Sequence, residues 1–347
     1  MQRIVVNTRI LSAPLTGTRR YTEELLARWN GNADTIAPRD NPQGVYGHAW
    51  EQFVVPSKLG GRLLFSPSNT GPIKTKNQVV TIHDMAAFDC PGTFSRRFAA
   101  WYQFLLPRVA REARHIITVS EFIKARIVKH AGVRTSKITV IPNGIGSCFC
   151  PAAASQVGTT IRSLGLPSRD YILVVGSVEP RKNVGRLLRA WAMIQGRLPG
   201  DLWLVIVGAF GNSRVFAKAQ IDSIPARVHF AGPVDDRLLP SLYAGAIALA
   251  YISLYEGFGL PALEAMASGT PVLAGKCSSL PEVVGNAAVL VDPLAVEDIG
   301  LAMVRIVEDV GLRRELRTAG LERAKQYSWD EAARKTWDVL QKAAVSN

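Results

Sequence analysis

Short apolar runs, each too brief for a helix, alternate along the whole chain with longer stretches of helical spacing. Strands are predicted at Arg3–Asn7, Arg62–Phe65, Gln78–Ile82, His115–Val119 and Ile138–Val140, and helices over Tyr21–Trp29, Arg96–Glu112 and Glu121–His130. The pattern then restarts, with strands at Tyr171–Gly176, Leu202–Gly208, Val228–Phe230, Ile247–Tyr251, Val272–Ala274 and Ala288–Val291. Helices fall between these at Asn183–Met193, Arg237–Ala244, Pro261–Ser268 and Val296–Val310. Unbroken Val/Ile/Leu strands are buried on both faces, and strands separated by helices run parallel because the return needs a crossover. The chain is thus confined to the α/β class, and its 347 residues exceed one comfortable core.

Two doubly wound, Rossmann-like domains are expected. The first covers residues 1–152 and the second 165–327, with an Ala-, Ser-, Gly- and Pro-rich linker at Phe149–Ser168. Ser328, followed three residues later by Glu331, is a helix-start signal, so residues 328–347 form a last helix that packs back on the first domain. Open parallel sheets bind ligands beyond the carboxyl ends of their strands, so two such sheets facing one another would enclose a cleft.

The net charge of +13 is lopsided: residues 1–150 carry 20 Lys and Arg against 9 Asp and Glu. A positive field on one domain attracts anions, whether phosphorylated substrate, anionic membrane surface or nucleic acid. Nucleic acid is disfavoured because no recognition module or stacking platform accompanies the charge. Cys90, Cys148, Cys150 and Cys277 form neither a CxxC pair nor a Cys/His zinc pattern. No secretory leader is evident, and no apolar run reaches the ~18–20 residues of a membrane span. A cytoplasmic location with inert thiols is expected.

Two segments carry chemistry on their own mechanics. In Glu256-Gly257-Phe258-Gly259-Leu260-Pro261 a strand end turns through two glycines into a helix whose first amides are unpaired, an arrangement that favours an anion. Glu264, set among Ala, Leu and Met, needs hydrogen-bond donors if ionised, and sugar hydroxyls supply them. The alternative is a plain strand–helix turn with two surface glutamates. In Glu179-Pro180-Arg181-Lys182-Asn183 two cations follow a strand, where Arg can clamp phosphate oxygens and Lys adds a compact charge. A solvated helix start is the other reading, but the helix dipole disfavours cations there unless an anion is present. His83-Asp84 also ends a strand, although a lone histidine is commonly structural.

These segments resemble the family 4 retaining glycosyltransferases. Glu256 and Glu264 match that family's E-x7-E motif, and EGFGLPALEAMASGTPV is similar to the family's text almost word for word. IHDMAAFDCP, IITVSEFIKARI, IPNGI, VGSVEPRKNVGRLLRAW, LVIVG, VHFAGPV and SSLPEVVG occur in the family's order over essentially the whole chain. The resemblance implies the GT-B fold and a hexosyltransferase that uses a nucleotide-diphosphate sugar as co-substrate and needs no metal or cofactor. It implies that Glu264 holds the donor ribose and that Glu256 binds the transferred sugar near the reacting face. Arg181 and Lys182 would meet the diphosphate, amides around Gly257, Phe258, Gly259 and Leu260 would contact sugar and phosphate, and His83 would face the donor sugar across the cleft. Asp84 is left as general base or turn residue, Ser120 as helix cap or contact, and Asn143 as phosphate contact or turn former. Gly17 stands in the first loop, but Thr18-Arg19 replaces the usual small residue and glycine, so Arg19 or Arg20 is a substitute phosphate contact. Tyr243 and Val228–Phe230 are assigned to the base pocket.

The resemblance is strongest to bacterial mannosyltransferases of polysaccharide assembly, which makes GDP-mannose the first donor and a UDP-glucose-type donor the alternative. A nucleotide-sugar epimerase and a non-catalytic nucleotide-sugar-binding protein are further rivals. The expected acceptor is a polyprenyl-diphosphate-linked saccharide or other glycan on the basic first domain. The stretch from Phe94 to Arg108 mixes bulky apolar residues with arginines and suits an anionic inner-membrane face, or else an ordinary core helix with a charged outer side.

Overall fold

The computed structural model describes residues 4–13, 16–39, 44–212 and 221–345. The chain divides into two compact units. The first comprises residues 1–89, 99–144 and 328–347, and the second residues 90–98 and 145–327. Each contains one six-stranded sheet in which every pairing is parallel.

In the first unit the strands are β1 (Ile4–Asn7), β2 (Asp34–Ile36), β3 (Leu63–Ser66), β4 (Gln78–Ile82), β5 (His115–Thr118) and β6 (Ile138–Val140), in the order β2-β1-β3-β4-β5-β6. All residues of β1, β3 and β4 are buried, as expected for a sheet covered on both faces. Helix Trp329–Val345 belongs to this unit and packs on helix Gly17–Trp29: Trp29 Nε1 donates to the Ala333 carbonyl at 3.2 Å, and the Trp29 and Trp337 rings lie 5.2 Å apart. Ser328 Oγ accepts from the amides of Asp330 and Glu331 at that helix's start.

In the second unit β7 (Tyr171–Val175), β8 (Trp203–Val207), β9 (Val228–Gly232), β10 (Ala248–Tyr251), β11 (Val272–Gly275) and β12 (Ala288–Val291) are ordered β12-β11-β10-β7-β8-β9. Ile172, Leu204, Ile206, Ala250 and Leu273 from four of these strands share a core with Leu187, Trp191 and Ile299 from the flanking helices. Register between β7 and β10 sets Ile172 against Ala248 and Leu173 against Leu249.

Several boundaries differ from expectation for local reasons. Helix Gly17–Trp29 starts four residues before Tyr21 because the Thr16 hydroxyl caps it, accepting from the Arg19 amide at 3.3 Å. The segment Phe149–Ser168 is not a simple linker: it carries helix Ala154–Ser163, and the division between units falls at residues 144/145. The helix expected to end at Val310 stops at Glu308, and Asp309 caps a separate helix, Val310–Ala324, through the Leu312 amide at 2.8 Å. Strand Asp34–Ile36 and helix Gly44–Ser57 were not anticipated; the strand is short and half-buried, and the helix begins at the Gly of a Pro-Gln-Gly stretch. Arg3, Pro14 and Leu15 lie outside the described residues.

Candidate active site

β7 and β10 are neighbours in the second sheet, and from them the chain order runs outward in opposite directions. Such a switch point opens a crevice beyond the strands' carboxyl ends. The two segments singled out in sequence leave from these two strand ends, which is how residues 181 and 256 come together.

After β7, Pro180 opens a 3₁₀ turn, Pro180–Lys182. Asn183 ends it with φ of 62°, a left-handed conformation that Asn tolerates, and its Nδ2 donates to the carbonyls of Ile252 at 3.1 Å and Pro293 at 2.7 Å. The turn is thereby anchored to the loop after β10. Lys182 Nζ donates to Glu256 Oε1 at 2.6 Å and to the Tyr251 hydroxyl at 3.0 Å. Arg181 Nη1 donates to Glu256 Oε2 at 3.1 Å and to the Tyr255 carbonyl at 2.9 Å. Its Nη2 donates to Glu179 Oε1 at 2.7 Å, and Glu179 is itself buried.

Burial opposes ionisation of Glu256, but the charges of Lys182 and Arg181 outweigh it and hold the carboxyl at about 2. Burial pulls the Lys182 ammonium below the ordinary lysine range, with Glu256 opposing. Two cations and two carboxylates are thus packed together at the strand ends.

Three consecutive residues after β11 clamp the Glu256 loop. Cys277 Sγ donates to the carbonyls of Ser253 and Leu254, each at 3.3 Å. Ser278 Oγ accepts from the Glu256 amide at 3.0 Å, and Ser279 Oγ bonds the carbonyls of Glu256 and Phe258, both at 2.9 Å. Gly259 needs its freedom: φ is +112°, and a Cβ there would lie 2.7 Å from Leu280 Cδ2. Gly257 has no positive φ. Helix Leu260–Ala267 follows, with Pro261 in its first turn.

Glu264 is buried on that helix, and its Oε2 accepts from the Tyr243 hydroxyl at 2.8 Å. Tyr243 is fully buried and holds this carboxylate through its hydroxyl. Val228 and Phe230 are half-buried on the edge strand β9.

The remaining candidates lie in the first unit. His83 follows β4, and its Nε2 is 2.7 Å from the Pro67 carbonyl, which can only accept, so Nε2 carries the proton. Burial pushes the ring below the usual histidine range, with the Pro67 bond and Asp84 opposing. Asp84 Oδ1 accepts from the Ala86 amide at 3.0 Å. Ser120 caps helix Glu121–Ala131 through the Ile123 amide at 3.2 Å and is buried. Asn143 is buried, and Gly144 leaves room for the last helix, since a Cβ would come 2.0 Å from the Trp329 amide nitrogen. Gly17 opens its helix, while Arg19 is tied to Glu23 Oε1 at 2.7 Å and to the Ala13 carbonyl at 2.7 Å.

Glu179, Tyr251, Ser278 and Ser279 received no role from sequence. Glu179 stands two residues from Arg181 and the serines sit in SSLPEVVG, but only the fold brings Tyr251 and residues 277–279 to Glu256. Among the described residues, no group of three His, Cys, Asp or Glu side chains is placed to hold a metal ion.

The family model described as "Glycosyl transferases group 1" matches residues 159–323, and "Glycosyltransferase Family 4" matches residues 68–146. The chain is 30% identical over 267 residues to O-antigen chain mannosyltransferase B of Escherichia coli, covering 76% of this chain and 70% of that one. It is 32% identical over 254 residues to the MMP alpha-(1->4)-mannosyltransferase of Mycolicibacterium hassiacum, covering 70% of this chain and 58% of that one. The crystal structure of Anabaena HepE in complex with UDP-glucose superposes with a TM-score of 0.76 at 18% identity, covering 99% of this chain and 100% of that one. At that identity the likeness carries the fold alone, GT-B.

Proposed function

The chain belongs to the family 4 glycosyltransferases and is a hexosyltransferase; from that premise we propose that it moves mannose from GDP-mannose, with retention, onto a lipid-linked saccharide in polysaccharide synthesis. One observation carries the donor site: Glu256 held between Lys182 and Arg181 at the carboxyl ends of β7 and β10. When donor binds, sugar hydroxyls take the place of the cations at Glu256, and the diphosphate takes the cations. The bond from the sugar C1 to the diphosphate oxygen breaks with its electron pair staying on that oxygen, a bond from C1 to an acceptor hydroxyl oxygen forms, and the hydroxyl's proton passes to the departing diphosphate. Negative charge develops on the departing diphosphate, where Arg181 and Lys182 stabilise it, and no metal is required. Glu264, oriented by Tyr243, holds the ribose hydroxyls. Both relatives named above are mannosyltransferases, which favours mannose; a UDP-glucose-type donor is the second reading.

His83 serves the transferred sugar: its neutral ring, fixed by the Pro67 carbonyl, supplies contact without charge. His83→Ala is expected to lower kcat while leaving nucleotide affinity within about twofold; equal affinity and unchanged kcat would remove His83 from the reaction.

The first unit meets an anionic membrane face through residues 99–112 of helix Arg96–Glu112. There Phe104 is 44% exposed, stacks on Trp101 and carries the Arg108 guanidinium 3.7 Å above its ring. No helix among the described residues is long and apolar enough to cross a membrane. Flotation with anionic vesicles at low salt checks this contact, and absence of binding contradicts it.

The donor assignment is tested by incubating purified protein with GDP-mannose or UDP-glucose and a lipid-linked saccharide. Glycosylated product from GDP-mannose alone is expected; product from UDP-glucose alone overturns the mannose assignment.

A further inference from the structure

The first sheet has a switch point of its own. β1 lies between β2 and β3; the chain leaves β1 for β2 on one side and β3 for β4 on the other, so a crevice opens beyond the carboxyl ends of β1 and β3. Side chains from both ends and from helix Gly44–Ser57 meet there on one carboxylate. Glu51 is fully buried, and its Oε1 accepts from Asn7 Nδ2 at 2.7 Å and from Thr70 Oγ1 at 3.0 Å. Arg9 Nη2 donates to Thr70 Oγ1 at 3.1 Å and lies 3.6 Å from Glu51 Oε2. His48 Nδ1 is 3.8 Å from the same oxygen.

A buried ion pair is a poor way to hold strand ends, because apolar residues of equal volume do so at no desolvation cost. What a carboxylate does, and an apolar residue does not, is fix the attitude of a guanidinium. Burial disfavours the charged form of Glu51, but the His48 ring beside it and the charge of Arg9 outweigh it, so its carboxyl stays below the usual range. Arg9 is engaged through Nη2, its side chain is 20% exposed, and its Nε and Nη1 donate to no partner among the described residues. The residues around it form the more basic half of the chain, 20 Lys and Arg against 9 Asp and Glu over residues 1–150. A guanidinium fixed from one side with donors left over, in a positive field, is suited to an oxyanion.

We propose that this crevice binds a phosphoryl group of the acceptor, with Arg9 as the contact and Glu51 as the residue that positions it. The assignment rests on the reading of the acceptor as a lipid-linked diphosphate.

The test compares two acceptors on the full chain: the diphosphate-linked saccharide, and the same saccharide on a neutral aglycone. Arg9→Gln is expected to raise KM for the diphosphate acceptor about tenfold, roughly the loss of one charge-assisted contact, while KM for the neutral acceptor and for the nucleotide-sugar stays within about twofold. Glu51→Gln keeps the volume and removes the charge, and is expected to give a smaller change with the same selectivity. A rise in donor KM would assign the phosphoryl group to the donor and overturn the proposal. Equal weakening of both acceptors would make Arg9 structural and also overturn it. Should the native protein use neither acceptor, the lipid-linked reading fails separately, and inorganic pyrophosphate decides the subsite. In a Lys182→Ala background, thermal stabilisation by pyrophosphate that disappears on adding Arg9→Gln supports the subsite; stabilisation indifferent to Arg9, or none, overturns it.

Discussion

Lys182 Nζ sits 2.6 Å from Glu256 Oε1, so the residue assigned to the diphosphate and the residue assigned to the sugar are directly paired in the protein alone. The pairing explains how a carboxylate only 6% exposed remains ionised, and it ties the charge state of one to the other.

That coupling predicts an acid sensitivity. The Glu256 carboxyl is depressed from 4.5 to about 2, so its contribution to stability is present above pH 4.5 and is lost as pH falls toward about 2. Urea unfolding across that window is expected to show stability falling with a slope of up to about 1.4 kcal/mol per pH unit from this one group. Glu256→Gln flattens the slope; an identical slope in the variant would mean that Glu256 does not titrate as described.

Tyr243→Phe keeps the buried ring and removes the only proton its side chain gives to Glu264. Loss of one buried hydrogen bond to a charged group is expected to cost about 1–3 kcal/mol of stability. Donor KM is expected to rise severalfold with kcat nearly unchanged, because Glu264 is assigned to ribose and not to the reacting bond. A fall in kcat at constant KM would contradict that division of labour.

Ser279→Ala frees the carbonyls of both Glu256 and Phe258. The loop that carries Glu256 then loses one of its ties, and kcat is expected to fall by about tenfold or more while nucleotide binding at Glu264 persists. Steady-state kinetics alongside nucleotide titration separate the two effects.

Gly259→Ala must force a Cβ to within 2.7 Å of Leu280 Cδ2 on a residue with φ of +112°. A loss of about 1–3 kcal/mol is expected from the strained backbone. Gly92→Ala, where a Cβ meets nothing within 4 Å, is the control and should leave stability within about 0.5 kcal/mol.

The sequence made the sheets legible because parallel strands are read as unbroken apolar runs: Gln78–Ile82, Ile138–Val140 and Ala288–Val291 fall where they were expected. Strand Asp34–Ile36 was hidden because a short half-buried edge strand has no such run. Residues 181 and 256 were legible as chemistry, since charges at strand ends need partners, but their direct pairing was not. It depends on β7 lying beside β10, a long-range fact of strand order. For the same reason Tyr251 and Glu51 escaped notice: one reads as the end of a strand and the other as a lone polar residue outside any predicted element, and only the fold shows what each touches. The Phe149–Ser168 stretch misled in the opposite sense, because Ala, Ser and Gly suit linkers and short helices alike.

The most direct test of the account is thermal stabilisation of the purified protein by GDP, UDP, ADP and their sugar conjugates. Ligand at about a hundredfold excess over its Kd adds roughly 2.7 kcal/mol of apparent stability. The account predicts a clear rise in Tm with GDP and GDP-mannose, abolished in Lys182→Ala and weakened in Glu264→Gln. Stabilisation by none of these nucleotides, or stabilisation equal in native protein and Lys182→Ala, would contradict the assignment of the β7–β10 crevice as the donor site.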